Sequence, residues 1–282
     1  MSETSTVLIT GCSNGIGRAT AERLVARSKH TVYATARRTE SIADLEAKGC
    51  RTLALDVTDE ASMHGAVEHV IAEHGVVDVL VNNAGYSQSG ALETLGMADV
   101  RRQFETNVFG LLRMCQLVLP GMRERRAGRI VNVSSMGANF VFPGGGIYHA
   151  TKYAVDAISD ALRFEVKGFG INVVIIQPGL IQTNFADTAA AVTPAQDGPY
   201  SEFNATVVAA TREAYERGPL AKLGGPPEAV AKAIEAAITA RRPKIRYRVT
   251  PSARLLITQR RLMTDKLWDR FVATQFSQPG KS

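Results

Sequence analysis

Cysteine is scarce in this chain, and its placement excludes two kinds of architecture. Three residues in 282, Cys12, Cys50 and Cys115, are odd in number and far apart, which gives neither a disulfide framework nor a metal knuckle. The five histidines are scattered without ligand spacing, so no metal is expected. No run of about 18 uninterrupted apolar residues is there to span a bilayer. The polar residues 1–5 have no signal-peptide core, and the expected location is cytoplasmic. Internal repeats, low-complexity segments and interdomain linkers are missing as well. With 45% hydrophobic and 21% charged residues and a mean hydropathy of −0.04, residues 1–282 are expected to fold as a single domain, since α/β domains of about 250 residues commonly stay single.

What is present begins with a strand, a turn and a helix start. Thr6-Val7-Leu8-Ile9 reads as a buried strand that runs into Thr10-Gly11-Cys12-Ser13-Asn14-Gly15-Ile16-Gly17 and a helix-like segment at 18–28. Such a turn lets the backbone approach a pyrophosphate, and the first N–H groups of the helix complement the phosphate charge. Its spacing is G-x-x-x-G-x-G, not the G-x-G-x-x-G of the commonest dinucleotide fingerprint. A tight loop alone would explain the glycines; the flanking strand and helix favour nucleotide binding. Further strands at 31–36, 51–55, 77–81, 129–133 and 172–177 alternate with helical segments. The alternation implies an α/β fold, a doubly wound parallel sheet of Rossmann-like type in three layers. Right-handed crossovers then gather the strand C-terminal ends along one edge, with the glycine turn, Asn82, Ser135 and Pro178.

Tyr148 and Lys152 stand four residues apart at the head of an apolar-periodic segment, with Ser135 thirteen residues upstream of the tyrosine at a strand end. Four residues is about one helical turn, so phenol and ammonium project from one face. The cation is expected to draw the phenol, with an unperturbed pKa of about 10, toward neutrality. Such a trio can move a proton onto a carbonyl oxygen. A surface pair has the same spacing, and the other motifs favour chemistry.

Taken in order, the 10–17 turn, Asp56-Val57, Asn82-Asn83-Ala84-Gly85, Asn107, Ser134-Ser135, Tyr148-His149-Ala150-Thr151-Lys152, and Pro178-Gly179 followed by Thr183 resemble a short-chain dehydrogenase/reductase of the single-domain type. The likeness covers roughly residues 6–240. It implies hydride transfer between the nicotinamide C4 and a carbonyl carbon, with Tyr148 as acid/base. Ser135 would hydrogen-bond the reacting oxygen, Lys152 would bias the Tyr148 pKa and hold the nicotinamide ribose, and Asn107 would hold a water linking Lys152 to solvent. Ser134 is the rival for the serine role, but the family spacing of thirteen residues selects Ser135. The resemblance also implies cofactor contacts from Gly11, Ser13, Asn14, Gly15, Ile16 and Gly17. Asp56 and Val57 would meet the adenine, Asn83, Ala84 and Gly85 the adenosine ribose, and Pro178, Gly179 and Thr183 the nicotinamide end. Each has a plainer reading: Asp56-Val57-Thr58 as a strand end and helix cap, Asn83-Ala84-Gly85 as turn chemistry, and Asn107 as an interior amide satisfied by backbone. A small-molecule substrate and a homodimer or homotetramer are the expected partners.

Cofactor choice turns on Arg37, just past the second strand. An NAD site usually offers Asp or Glu about 20 residues beyond the glycines, whereas a guanidinium pairs with a 2′-phosphate. NADP(H) is therefore favoured over NAD(H), although Asn14 stands where many NADP-preferring relatives carry a basic residue, and Arg37 and Arg38 also read as solvated charges. Tyr33-Ala34-Thr35-Ala36-Arg37 and the tail from Arg242 look like the hydroxysteroid and retinol dehydrogenase branch. With Met136, Phe140, Phe142 and Phe185 near the crevice, a lipophilic ketone, aldehyde or secondary alcohol is the expected substrate. Residues 184–225 form an insertion expected to fold over it. Residues 243–282 form a C-terminal extension with a last strand at 244–249 and a basic amphipathic helix after Pro251, whose Leu267, Trp268 and Phe271 are expected to close the pocket. Two other classes stay open. A catalytically silent nucleotide sensor or scaffold is opposed by the intact Ser135, Tyr148 and Lys152. A basic membrane-surface or nucleic-acid binder is suggested by a pI near 9.3 and eight cations between Arg241 and Arg261 with no acid among them; protein packing is favoured for the tail, and nucleic acid is not expected.

Overall fold

Seven short runs of aliphatic and β-branched residues build one parallel sheet. The computed structural model describes residues 5–27, 30–183, 198–216, 218, 220–276 and 278–280. Its strands are β1 (Thr6–Ile9), β2 (Thr31–Ala36), β3 (Arg51–Ala54), β4 (Val79–Asn82), β5 (Gly128–Val133), β6 (Ile171–Pro178) and β7 (Arg246–Val249), in the order β3-β2-β1-β4-β5-β6-β7. All six pairings are parallel. Each observed strand lies within about two residues of its expected position, as does the final strand of the tail.

Central strands of a covered sheet are buried on both faces and read as continuous apolar runs, and β1 and β5 are buried at every position. Successive side chains feed opposite layers. Val7 and Ile9 join a core beneath helices Gly15–Arg27 and Pro227–Thr239, while Leu8 joins one beneath Glu60–His74, Gly110–Glu124 and Gly146–Val166. Asp59 caps Glu60–His74 by accepting from the N–H groups of Ala61 and Ser62, and left-handed Gly75 ends that helix. Arg129, 3% exposed, reaches from β5 to the C-terminal carbonyls of Pro227–Thr239, donating to Ala237 O at 2.6 Å and Ala240 O at 2.9 Å. A cation at a helix C-terminus is favoured by the dipole as well as by the bonds.

The 184–225 insertion contains helix Ser201–Glu216, whose Phe203, Asn204 and Val207 are buried at spacings that share one face. Residues 184–197, with Phe185, lie outside the described residues. One expectation, a single helix after Pro251, needs correction. The tail after Pro251 is two helices, Pro251–Leu262 and Asp265–Ala273, because Met263 is extended and Thr264 caps the second by accepting from Leu267 N–H. Among the described residues no helix is long and apolar enough to cross a membrane.

Candidate active site

The strand order reverses between β1 and its two neighbours β2 and β4, the switch point at which parallel sheets open a crevice. A cleft of about 580 Å³ opens there, running from Arg37 and Asp56 to Tyr148 and Lys152. At the first end the glycine turn is set by backbone. Gly11 and Gly15 have φ of 73° and 57°, a region that costs little only for glycine. A Cβ on Gly11 would lie 2.9 Å from Ala84 Cα, and one on Gly17 would overlap Gly11 O and the Asn83 amide. Asn83 donates from Nδ2 to the carbonyls of Thr10 and Gly11, both at 2.9 Å, and Thr10 Oγ1 accepts from the N–H groups of Asn83 and Ala84, both at 3.0 Å. The β1 and β4 loops are thereby tied into one rigid rim. Asn82, by contrast, is buried and donates to Asn132 Oδ1 at 3.0 Å, bracing β4 against β5.

At the second end, Ser135 caps a short 3₁₀ turn and accepts from Gly137 N–H at 3.0 Å, and its hydroxyl hydrogen-bonds the Tyr148 phenol. Lys152 Nζ donates to Val133 O at 3.0 Å and sits 5.8 Å from the centre of the Tyr148 ring. Asn107 lies in a π turn, Glu105–Phe109, between two α-helices; such turns widen a helix by one residue. Its amide is fixed by Tyr86 N–H to Oδ1 at 3.0 Å and by Nδ2 to Tyr86 O at 2.9 Å and Thr151 Oγ1 at 3.0 Å. A Cβ on Gly85 would come within 3.1 Å of Asn107 Oδ1 and 3.7 Å of Lys152 Nζ, so glycine there keeps open the small space between amide and ammonium.

Burial dominates the electrostatics. It pushes the Tyr148 phenol up to about 12, with the Ser135 hydrogen bond opposing, and pushes Lys152 down to about 8, with Asp156 opposing. The expectation that Lys152 brings the phenol toward neutrality is therefore corrected: desolvation of the phenolate outweighs the ammonium 5.8 Å away. A phenol that stays protonated is a proton donor. Asp156, one turn beyond Lys152, accepts from Gln177 Nε2 at 2.8 Å and lies 3.6 Å from Arg246 Nε.

A dinucleotide fits these residues. The rim offers N–H groups unobstructed by side chains at the start of helix Gly15–Arg27, and Arg37, exposed on the cleft wall, makes no ion pair among the described residues. Residues 5–192 match the family model described as short chain dehydrogenase. The chain belongs to the short-chain dehydrogenase family. It is 44% identical over 182 residues to a 3-ketodihydrosphingosine reductase of Bacteroides thetaiotaomicron, covering 64% of this chain and 65% of that protein. It is 33% identical over 273 residues to an NADPH-dependent 3-dehydrocapnine reductase of Ornithobacterium rhinotracheale, covering 93% and 94%. The crystal structure of a short-chain dehydrogenase from Streptomyces avermitilis superposes with a TM-score of 0.80 at 36% identity, covering 95% of each chain. None of these three names mentions a hydroxysteroid or a retinoid.

In this dehydrogenase the cleft brings together nearly every expected site residue, from Gly11, Ser13, Asn14, Gly15 and Ile16 to Thr183. Gly17 and Asn107 are the exceptions: Gly17 lies beneath the turn it permits, and Asn107 stands behind Gly85. Gly179 has a second purpose, since a Cβ there would overlap the hydroxyls of Thr250 and Ser252, by which the tail docks. Asp56 spends Oδ1 on Thr58 N–H and Oγ1 at 2.9 and 2.8 Å, and the helix cap is Asp59. Sequence reasoning missed Tyr215, which lines the cleft and whose phenol is pushed up by burial and by neighbouring Tyr148. The apolar spacing of Ser201–Glu216 was the available signal. It also missed His149, whose Nδ1 donates to Gly137 O at 2.8 Å while Nε2 accepts from Phe142 N–H at 3.2 Å, pinning the turn after Ser135 to the segment that carries Phe142.

Proposed function

We propose that this protein is an NADP(H)-dependent reductase of lipophilic carbonyl compounds in which Tyr148 donates the proton. The observation that carries the reading is the buried phenol of Tyr148, held protonated beside Ser135 in the same cleft as Lys152. When bound, the nicotinamide supplies the hydride to the carbonyl carbon. Tyr148 gives its proton to the carbonyl oxygen, and Ser135 stabilises the negative charge that develops there, a role that contributes a few kcal/mol. Lys152 holds the nicotinamide ribose and, with a water at Asn107, resupplies the proton. Phe140, Phe142 and Trp268, whose rings pack 5.1 to 5.8 Å apart, form an apolar cluster just past Ser135 in the chain, toward which the apolar side of the substrate would point. Two relatives named as reductases of 3-keto and 3-dehydro compounds support the direction. Self-association as a homodimer or homotetramer belongs to the same reading, since Phe109, Tyr153 and Phe164 are 51%, 43% and 83% exposed on the helices spanning 105–124 and 146–166.

The cofactor preference tests it. Arg37 should favour NADPH over NADH by at least about tenfold in kcat/KM, or about 1.4 kcal/mol, and Arg37→Asp should narrow or reverse the ratio. A wild-type enzyme that turns over a lipophilic carbonyl better with NADH removes the 2′-phosphate argument.

A further inference from the structure

We propose that the two C-terminal helices dock this protein on an anionic lipid surface through the face they turn away from the domain. Their inward face is already occupied. Ser252, Ala253, Leu256 and Ile257 of the first helix and Trp268 of the second are buried, and they pack with Met136, Phe140 and Leu180. Met263, Phe271 and Val272 pack against the same cluster, but three leucines do not point inward. Leu255, Leu262 and Leu267 are 48%, 81% and 48% exposed.

Leu255 and Leu262 are seven residues apart, as are Arg254 and Arg261, and seven residues is nearly two full turns. Helix Pro251–Leu262 therefore carries a row of two leucines beside a row of two arginines on its outer side. Lys266 and Arg270 continue the cationic character on the next helix. That arrangement is the one an interfacial helix uses, with apolar side chains sinking below the headgroups and cations meeting them.

Charge separates a lipid surface from other occupants. Between residues 241 and 273 there are ten Lys or Arg and two acidic residues, Asp265 and Asp269, so the rest of the chain holds 23 cations against 25 acids and the net charge of +6 resides wholly in this segment. Internal pairing uses only part of it: Arg246 meets Asp156 and Asp160, and Arg260 meets Asp265 at 2.5 Å. Arg254, Arg261, Lys266 and Arg270 make no ion pair among the described residues. Arg248 is pushed below its ordinary range by burial and by Arg261 and Arg246 beside it, so the patch holds cations in mutual repulsion. A second copy of the same face would bring like charges together, whereas anionic headgroups neutralise them. The inner side of the same helices packs on Met136 and Phe140, which follow Ser135 in the chain, so on the proposed substrate class the membrane would lie on the Ser135 side of the site.

The test is cosedimentation of the full chain with vesicles of phosphatidylcholine mixed with phosphatidylglycerol, and with phosphatidylcholine alone. Binding is expected to the first and to be weakened by salt. The double variants Leu255→Ser/Leu262→Ser and Arg254→Glu/Arg261→Glu should each lower the partition at least about tenfold while NADPH affinity stays within about twofold, which shows an intact fold. Wild-type protein that stays in the supernatant with both vesicles overturns the proposal, as does full binding by the leucine variant. A leucine variant that loses a subunit contact without any wild-type vesicle binding assigns the face to self-association instead. None of these readouts depends on turnover, so failure here is distinct from failure of the Tyr148 assignment.

Discussion

At the glycine end of the cleft, the backbone and two short side chains hold the walls: Thr10 and Asn83 bind each other's loops through four hydrogen bonds of 2.9 to 3.0 Å. Past the Ser135 loop, rings from separate stretches of chain pack on one another. Phe142 stacks on Trp268 at 5.8 Å with 22° between planes, Phe140 lies 5.5 Å from Trp268, and His149 ties the loop beneath them. The first end is fixed by hydrogen bonds of specific geometry, the second by packing that a change of volume can shift. Fixed hydrogen-bond geometry suits a constant ligand; on the proposed function, the packed rings are the part that a change in the tail would alter.

The sharpest cut between the two ends is Tyr148→Phe. Removing the proton donor should lower kcat by about 10²- to 10⁴-fold, with NADPH affinity within about tenfold of the parent as read by fluorescence titration. Retention of most of the rate would falsify the proton-donor role.

Smaller but opposite effects are expected from one substitution at each end. Gly17→Val places methyl groups against Gly11 O and Asn83, so NADPH affinity should fall at least about tenfold and stability by about 1–3 kcal/mol, measured by titration and thermal unfolding. Trp268→Ala, at a position 5% exposed, should cost about 3–5 kcal/mol and raise KM for a lipophilic carbonyl, with NADPH affinity unchanged. Equal loss of NADPH affinity in both variants would mean that the two ends are not separable.

The smallest expected effect is on pH. Asp156 opposes the burial that brings Lys152 to about 8. In Asp156→Asn that opposition is gone, so the ammonium should lose its proton at lower pH and the alkaline limb of kcat/KM should move below that of the parent. An alkaline limb that stays put or moves upward would show that Lys152 titration does not govern the limb.

The same contrast explains what was legible in the sequence. Strands and the glycine rim announce themselves because their determinants are local: four consecutive apolar residues in β1, and glycines whose neighbours are fixed by the turn itself. Tyr148 and Lys152 stood out by their spacing of one helical turn, and Ser135 was chosen over Ser134 by the spacing that the resemblance supplies; the fold brings all of them to one cleft. The charge states were not legible, because the pKa of Tyr148 is set by its burial in the folded chain, which no local spacing reports. The tail showed its apolar residues but not which way each one faces. Leu255 and Leu256 are neighbours, yet only Leu256 is buried, and the turn at Met263 that orients Trp268 depends on a cap at Thr264.

The π turn that carries Asn107 adds one residue to the helical run between Met97 and Glu124. One extra residue turns everything beyond it by about 100°, so the two halves of that run are out of phase and each sets its own buried face. Gln103 and Asn107 are buried before and within the bulge, Leu111, Met114 and Cys115 after it. A buried amide has thus been obtained by lengthening the chain and not by giving up a core side chain: deleting a single residue from 105–109 would restore a regular helix, but would force a choice between aiming Asn107 at Tyr86 and Thr151 and keeping Leu111 and Met114 on the sheet.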